Sequence, residues 1–175
     1  MPTQEIAIYK TSPNEAHLLR AISILTFTET FSKQNTEADM QKYIIENLSI
    51  EKLENELNTK GSDFYFLRSH EQVIGYLKLN VGIAQTEQQP GNTLEIERIY
   101  LMNEYHGKGL GERLLKQAID IAKQQHASYI WLGVWEENLK AISFYKKNGF
   151  QQFDTHVFKL GEDEQTDILM KLELN

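Results

Sequence analysis

Apolar positions in this chain recur with two periods, and their alternation lays out the elements. Residues 94–101, LEIERIYL, are rich in Ile, Leu and Tyr and predict a strand. Gly107, Gly109 and Gly111 then fall within five positions, and Leu110, Leu114, Leu115, Ala118, Ile119 and Ala122 mark one face of a helix. Residues 5–9 predict a short first strand. Ser12 as N-cap and Pro13 at the first helical position open a helix over 14–32, with Leu18, Leu19, Ile22 and Leu25 apolar. Thr36 begins a second helix ending near Asn47, and Ser49 caps a third over 50–58. Residues 63–68 and 73–83 read as a hairpin about 69–72, followed by a polar loop over 85–92. The run 129–135, YIWLGVW, suits a strand buried on both faces. A helix over 138–148 ends at Gly149, and two last strands, 150–160 and 165–173, flank a turn at Gly161-Glu162-Asp163. This order argues for a mixed α/β sheet with helices on both faces.

Composition narrows the class. A length of 175 residues suits one domain spanning 1–175 with a full-sized core. Apolar residues at 41% and charged residues at 25% are globular proportions. The net charge of −7, with no basic cluster and no helix-turn-helix pattern, speaks against nucleic acid as partner and is compatible with a cationic substrate. With no cysteine there is no disulfide, thiolate metal site or cysteine nucleophile. The five histidines show no metal-ligand spacing, so no metal is expected. No apolar run reaches the length of a membrane span, and the start MPTQEIAIYK lacks the apolar core of a secretory signal. The expectation is a soluble cytoplasmic protein with no membrane partner.

The glycine turn carries the first chemical signal. Glycines accept positive φ and let a ligand approach the backbone. The helix start adds free N–H groups and the positive end of its dipole. Together they form an anion cradle, most often for phosphate. The dinucleotide fingerprint needs glycine at 112, where Glu112 stands, and the P-loop needs Lys-Ser or Lys-Thr after its last glycine, which is absent. His106 abuts the cradle, either as a cation beside phosphate or as a solvent-facing loop residue.

The spacing that fits, His106-Gly107-Lys108-Gly109-Leu110-Gly111 opening a helix, resembles the pyrophosphate-binding motif of the GNAT superfamily of acetyl-CoA-dependent N-acetyltransferases, with His106 where the family has Arg or Gln. A second segment, Asn138-Leu-Lys-Ala141-Ile142-Ser-Phe144-Tyr145-Lys-Lys-Asn-Gly149-Phe150, is similar to the family's Asn-x-x-Ala-aliphatic-x-Phe-Tyr-x-x-x-Gly-Phe segment. The resemblance covers most of the chain. It implies a mixed, mostly antiparallel sheet of about seven strands, with acetyl-CoA as co-substrate. It further implies that backbone within Ile99-Tyr100-Leu101 polarises the thioester carbonyl, Asn138 bonds the pantetheine arm and Tyr145 gives a proton to the departing thiolate. Read from the residues alone, Tyr145 is also compatible with a buried core tyrosine.

The reaction so implied needs a base. An amine of pKa about 10.4 is free base in on the order of one molecule per thousand at neutral pH. Glu95 and Glu97, two apart on a strand, share a face. Either is a candidate base with a pKa raised by burial and by its neighbour, or a partner for Arg98, or simply exposed. Further segments, Phe27–Tyr43, Leu94–Tyr100, Ile130–Trp135 and Glu164–Ile168, resemble the PaiA-type spermine/spermidine N-acetyltransferases, also described as transcriptional regulators. That resemblance implies a small polyamine acceptor such as spermidine or spermine, with protein amines, other small amines or an effect on transcription as alternatives. Glu29 is a candidate to hold a polycation. A homodimer through the C-terminal strands would be in keeping with the family.

Overall fold

Polar cap residues set where the helices begin. Thr36 Oγ1 accepts from the Asp39 amide at 3.1 Å and starts α2 (Glu37–Asn47), and Ser49 Oγ accepts from the Lys52 amide at 3.2 Å and starts α3 (Ile50–Leu57). At Ser12 the outcome differs slightly from expectation. Pro13–Glu15 form a 3-10 turn, closed by Glu15 accepting from the Ser12 amide at 2.8 Å, and α1 runs Ala16–Phe31. The computed structural model describes residues 5–160 and 162–174. Gly161, read as a turn residue, lies outside the described residues.

One mixed sheet holds β1 (Ile6–Lys10), β2 (Ser62–Ser69), β3 (Gln72–Val81), β4 (Thr93–Leu101), β5 (Tyr129–Trp135), β6 (Gln151–Leu160) and β7 (Asp163–Glu173), in the order β1-β2-β3-β4-β5-β7-β6. α4 (Leu110–Gln124) connects β4 to β5, and α5 (Leu139–Lys147) follows β5. Among the described residues only the β4–β5 pair is parallel, and the other pairs are antiparallel. β3 is buried continuously from Ile74 to Asn80, because helices including α1 and α4 cover both faces of the sheet. Trp131, Phe64, Phe66 and Phe150 fill the core, each worth about 1.5–3 kcal/mol in burial.

Two irregularities shape the site. The β3–β4 register slips between Lys78 and Leu79, which face Arg98 and Ile96, so Glu97 is the extra residue of a β-bulge. β4 and β5 pair only from Thr93–Tyr129 to Ile96–Leu132. Beyond that both strands continue without pairing to each other, and a cleft opens between them.

Candidate active site

The cleft has a volume of about 860 Å³. β4 brings Glu95, Glu97, Ile99, Tyr100 and Leu101 to its wall, the β4–α4 turn brings His106, Gly107, Gly109 and Gly111, and the α5 segment brings Asn138 and Tyr145. Lys108 and Leu110 do not line it. The Lys108 ammonium sits 5.3 Å from the centre of the Tyr105 ring, and Leu110 packs on the core.

The turn has the form of an anion cradle. Gly107 and Gly109 adopt φ of +75° and +76°, and a Cβ at either would meet nothing within 4 Å, so these glycines are required by backbone conformation rather than crowding. Among the described residues, no protein acceptor takes the backbone N–H groups from Gly107 to Glu112. Backbone donors free of protein acceptors at a helix N-terminus, three of them on the cleft-lining glycines, suit a pyrophosphate. His106 stands at the cradle and is also tied to the protein on both sides of its ring. Its Nε2 bonds the Leu101 carbonyl at 2.8 Å, pinning the turn to the end of β4, and its Nδ1 lies 3.0 Å from Lys140 Nζ. That contact brings the Lys140 ammonium beside the cradle.

The two glutamates differ in environment. Glu95 is 3% exposed. It accepts from the Thr86 amide at 2.8 Å, from Thr86 Oγ1 and from Asn80 Nδ2 at 2.9 Å. Burial raises its pKa above the ordinary carboxylate value, and the bonds from Thr86 and Asn80 offset this in part. Glu97 also accepts from Asn80 Nδ2, at 2.9 Å, and pairs with Lys78. Burial pushes the Glu97 pKa up, but Arg98, Lys78 and Asn80 together outweigh it and hold the carboxyl below its usual range. Neither glutamate is exposed, and the ion pair expected with Arg98 is formed by Lys78. Arg98 reaches α3, bonding Glu56 at 2.9 and 3.2 Å.

Tyr145 is 7% exposed, its ring beside Phe144 and Phe150, and burial pushes its pKa well above the ordinary phenol value. Asn138 caps α5, its Oδ1 accepting from the Ala141 amide at 3.2 Å, and the residue lines the cleft. Across the cleft stands an aromatic wall. Phe27 stacks on Tyr43 at 4.4 Å, and Phe31 lies 5.3 Å from Trp135. Glu29 is tied to the fold by the Asn103 amide, 2.7 Å away, rather than standing free for a ligand.

Sequence reasoning missed Lys78, Asn80, Thr86, Lys140 and the group Glu87–His156–Asp167. In that group His156 Nδ1 lies 2.6 Å from Glu87 and Nε2 lies 3.2 Å from Asp167. A signal existed for the first two. Lys78 and Asn80 are the polar pair at spacing two in an otherwise apolar strand, matching the spacing of Glu95 and Glu97. Asp167 falls in the Glu164–Ile168 segment that carries the PaiA-type resemblance, whereas nothing in the sequence marks Thr86.

The fold and the cleft define an acyl-group transferase, and comparison with known proteins agrees. The chain belongs to the acetyltransferase (GNAT) family, whose model matches residues 24–150. An uncharacterized N-acetyltransferase from Lactobacillus delbrueckii subsp. lactis is 43% identical over 169 residues, 97% of this chain and 98% of that protein. The spermidine N(1)-acetyltransferase of Thermoplasma acidophilum is 32% identical over 154 residues, 86% of this chain and 91% of that protein. The crystal structure of the PaiA N-acetyltransferase from Thermoplasma acidophilum in complex with coenzyme A superposes with a TM-score of 0.79 at 26% identity, covering 97% of this chain and 99% of that one. Among the described residues no helix is long and apolar enough to cross a membrane.

Proposed function

We propose that this acetyltransferase uses acetyl-CoA to acetylate a primary amine of a small polyammonium compound of the spermidine or spermine type, by direct attack without a covalent enzyme intermediate. The observation that carries the reading is the placement of Glu95 and Glu97 in the cleft that also holds the amide cradle and Tyr145. The 107–112 amides and Lys140 hold the pyrophosphate, and Asn138 Nδ2 bonds the arm that follows it. Bound there, acetyl-CoA supplies an activated acetyl thioester. A β4 amide within 99–101 bonds the thioester carbonyl and stabilises the charge that develops on its oxygen. Glu95 takes the proton from the attacking ammonium, directly or through a water, since its raised pKa brings it nearer the range where a base is effective. Glu97, ionised and fixed by Lys78, attracts the cation. The Tyr145 hydroxyl stays protonated and donates to the departing sulfur. Desolvation raises the affinity of that thiolate for the proton as it does for the phenolate.

Several features support a polyammonium acceptor. The lining includes Glu87, Glu95, Glu97 and Asp167, while of its cations Arg98 is engaged by Glu56, Lys52 bonds Asn47 and Lys140 stands at the glycine turn. The aromatic wall suits a methylene chain carrying ammonium groups. Two relatives, from Thermoplasma acidophilum and Bacillus subtilis, are named as spermidine or spermine/spermidine acetyltransferases. The test is CoA release with spermidine, spermine, a monoamine of similar length, a lysine peptide and an aminoglycoside, with the products identified by mass. The expected result is the highest kcat/KM for the two polyamines. A clear preference for the peptide or the aminoglycoside would overturn the acceptor and leave acetyl transfer intact.

A further inference from the structure

Asn80 is where the two glutamates meet. It lies on β3 opposite Glu95 in register and has no exposed surface. Its Nδ2 donates to Glu95 Oε1 and to Glu97 Oε2, each at 2.9 Å, and its Oδ1 accepts from Ser62 Oγ at 2.7 Å. A carboxamide nitrogen has two hydrogens, and here each goes to a different carboxylate. The chemistry fixes the amide's orientation. Flipped, the carbonyl oxygen would face two carboxylate acceptors, whereas the Ser62 hydroxyl could serve either way round. Glu97 comes within reach because the bulge adds it to β4 as an unpaired residue.

We propose that Asn80 is a positioning residue for acetyl transfer. It holds Glu95 and Glu97 side by side yet in different roles, Glu95 at Thr86 as the proton acceptor and Glu97 at Lys78 as the fixed anion. This rests on the reading of Glu95 as the base. Without the bridge, two carboxylates on one face repel each other with no donor between them, and each favours its protonated form. The other charged groups around this part of the cleft are Arg98 on β4, Lys78 on β3, Glu56 on α3, Glu87 in the 82–92 loop, and His156 and Asp167 on β6 and β7. None of these is a neutral donor shared by both glutamates, so none replaces Asn80.

The test is carboxyl 13C NMR of the free protein across pH, paired with the pH profile of kcat/KM, for wild type, Asn80→Asp and Ser62→Ala. Asn80→Asp removes both N–H donors and adds an acid. The Glu95 midpoint should rise by about one pH unit and the acid limb of kcat/KM should move with it. Acetyl-CoA affinity should stay within about twofold, since the cradle is untouched. Ser62→Ala keeps Asn80 and its orientation but takes away the donor to its carbonyl, so the side chain is held less firmly against the two glutamates, and the midpoint should shift the same way by a few tenths of a unit, about a third of the larger effect. A uniform loss of rate with unmoved midpoints makes Asn80 structural and overturns the proposal. If Asn80→Asp does not fold, an unmoved midpoint in Ser62→Ala does the same. A wild type that releases no CoA with any amine would refute the proposed function, while the NMR midpoints would still decide whether Asn80 controls Glu95.

Discussion

Removing the Tyr145 hydroxyl isolates one atom, because the ring is held by Phe144 and Phe150 and Tyr145→Phe keeps that packing. The rate should fall about 10²-fold, as for a lost general acid, with the Kd for acetyl-CoA unchanged. A rate within about twofold of wild type would show that solvent protonates the thiolate. Since burial raises the Tyr145 pKa, the profile should also show no alkaline limb from this group below the ordinary phenol value of about 10. Glu97→Gln tests a different role. It keeps the Asn80 contact available but removes the charge facing Lys78, so KM for the polyamine should rise about tenfold with kcat little changed. An equal fall in kcat and kcat/KM would instead make Glu97 act in the transition state. At this scale the sequence was half legible. Glu95 and Glu97 were visible as a pair, but not which was buried and which ion-paired, because that depends on Thr86 and Lys78, brought in from a loop and another strand.

The site's elements owe their positions to two departures from regular pairing, the bulge at Glu97 and the separation of β4 from β5 after Ile96. Periodicity cannot show either, since a one-residue slip leaves the strand pattern almost intact. Helix starts were legible, because capping is local: Thr36 and Ser49 each bond an amide three residues on. The glycine turn at the start of α4 was legible for the same reason, but the approach of Lys140 to it was not, being carried there by α5. Lys140→Ala should raise the Kd for acetyl-CoA severalfold and flatten its salt dependence, measured by titration calorimetry; an unchanged Kd would leave the amides as the sole anchor. The Lys78–Glu97–Arg98–Glu56 group ties β3 and β4 to α3. The Glu97 pKa is lowered on folding, so its ionised form contributes stability above the unfolded carboxylate range, and that contribution is lost as pH falls through the lowered folded value. Lys78→Met leaves two buried carboxylates to one cation. It should cost about 3–5 kcal/mol at neutral pH in urea unfolding, and less at pH about 4, where protonation of Glu97 in the variant relieves the unpaired charge. An equal loss at both pH values would show that Lys78 contributes through packing alone.

Across the whole molecule, a net charge of −7 gives a polycation a favourable field, and the apparent KM for spermidine should rise with salt. A monoamine should show a weaker dependence. The order of elements, the seven strands and the motifs at 106–111 and 138–150 were all readable, because each is a local pattern that the family fold then assembles. The meeting of loop 82–92, β3 and β7 around the glutamates was not, because contacts distant in sequence leave no spacing to read. In the proposed reaction the amine loses its proton to Glu95 beside the thioester of a cofactor anchored at the glycine turn. The measurement that tests this most directly is kcat/KM for spermidine against pH in wild type and Glu95→Gln. Wild type should rise with pH through a limb above the ordinary carboxylate pKa of about 4.3 and then level off. Glu95→Gln should lose that limb and fall about 10²-fold or more on the plateau. A variant that keeps both the limb and the plateau would contradict the account, since the proton would then be leaving by a path that does not pass through Glu95.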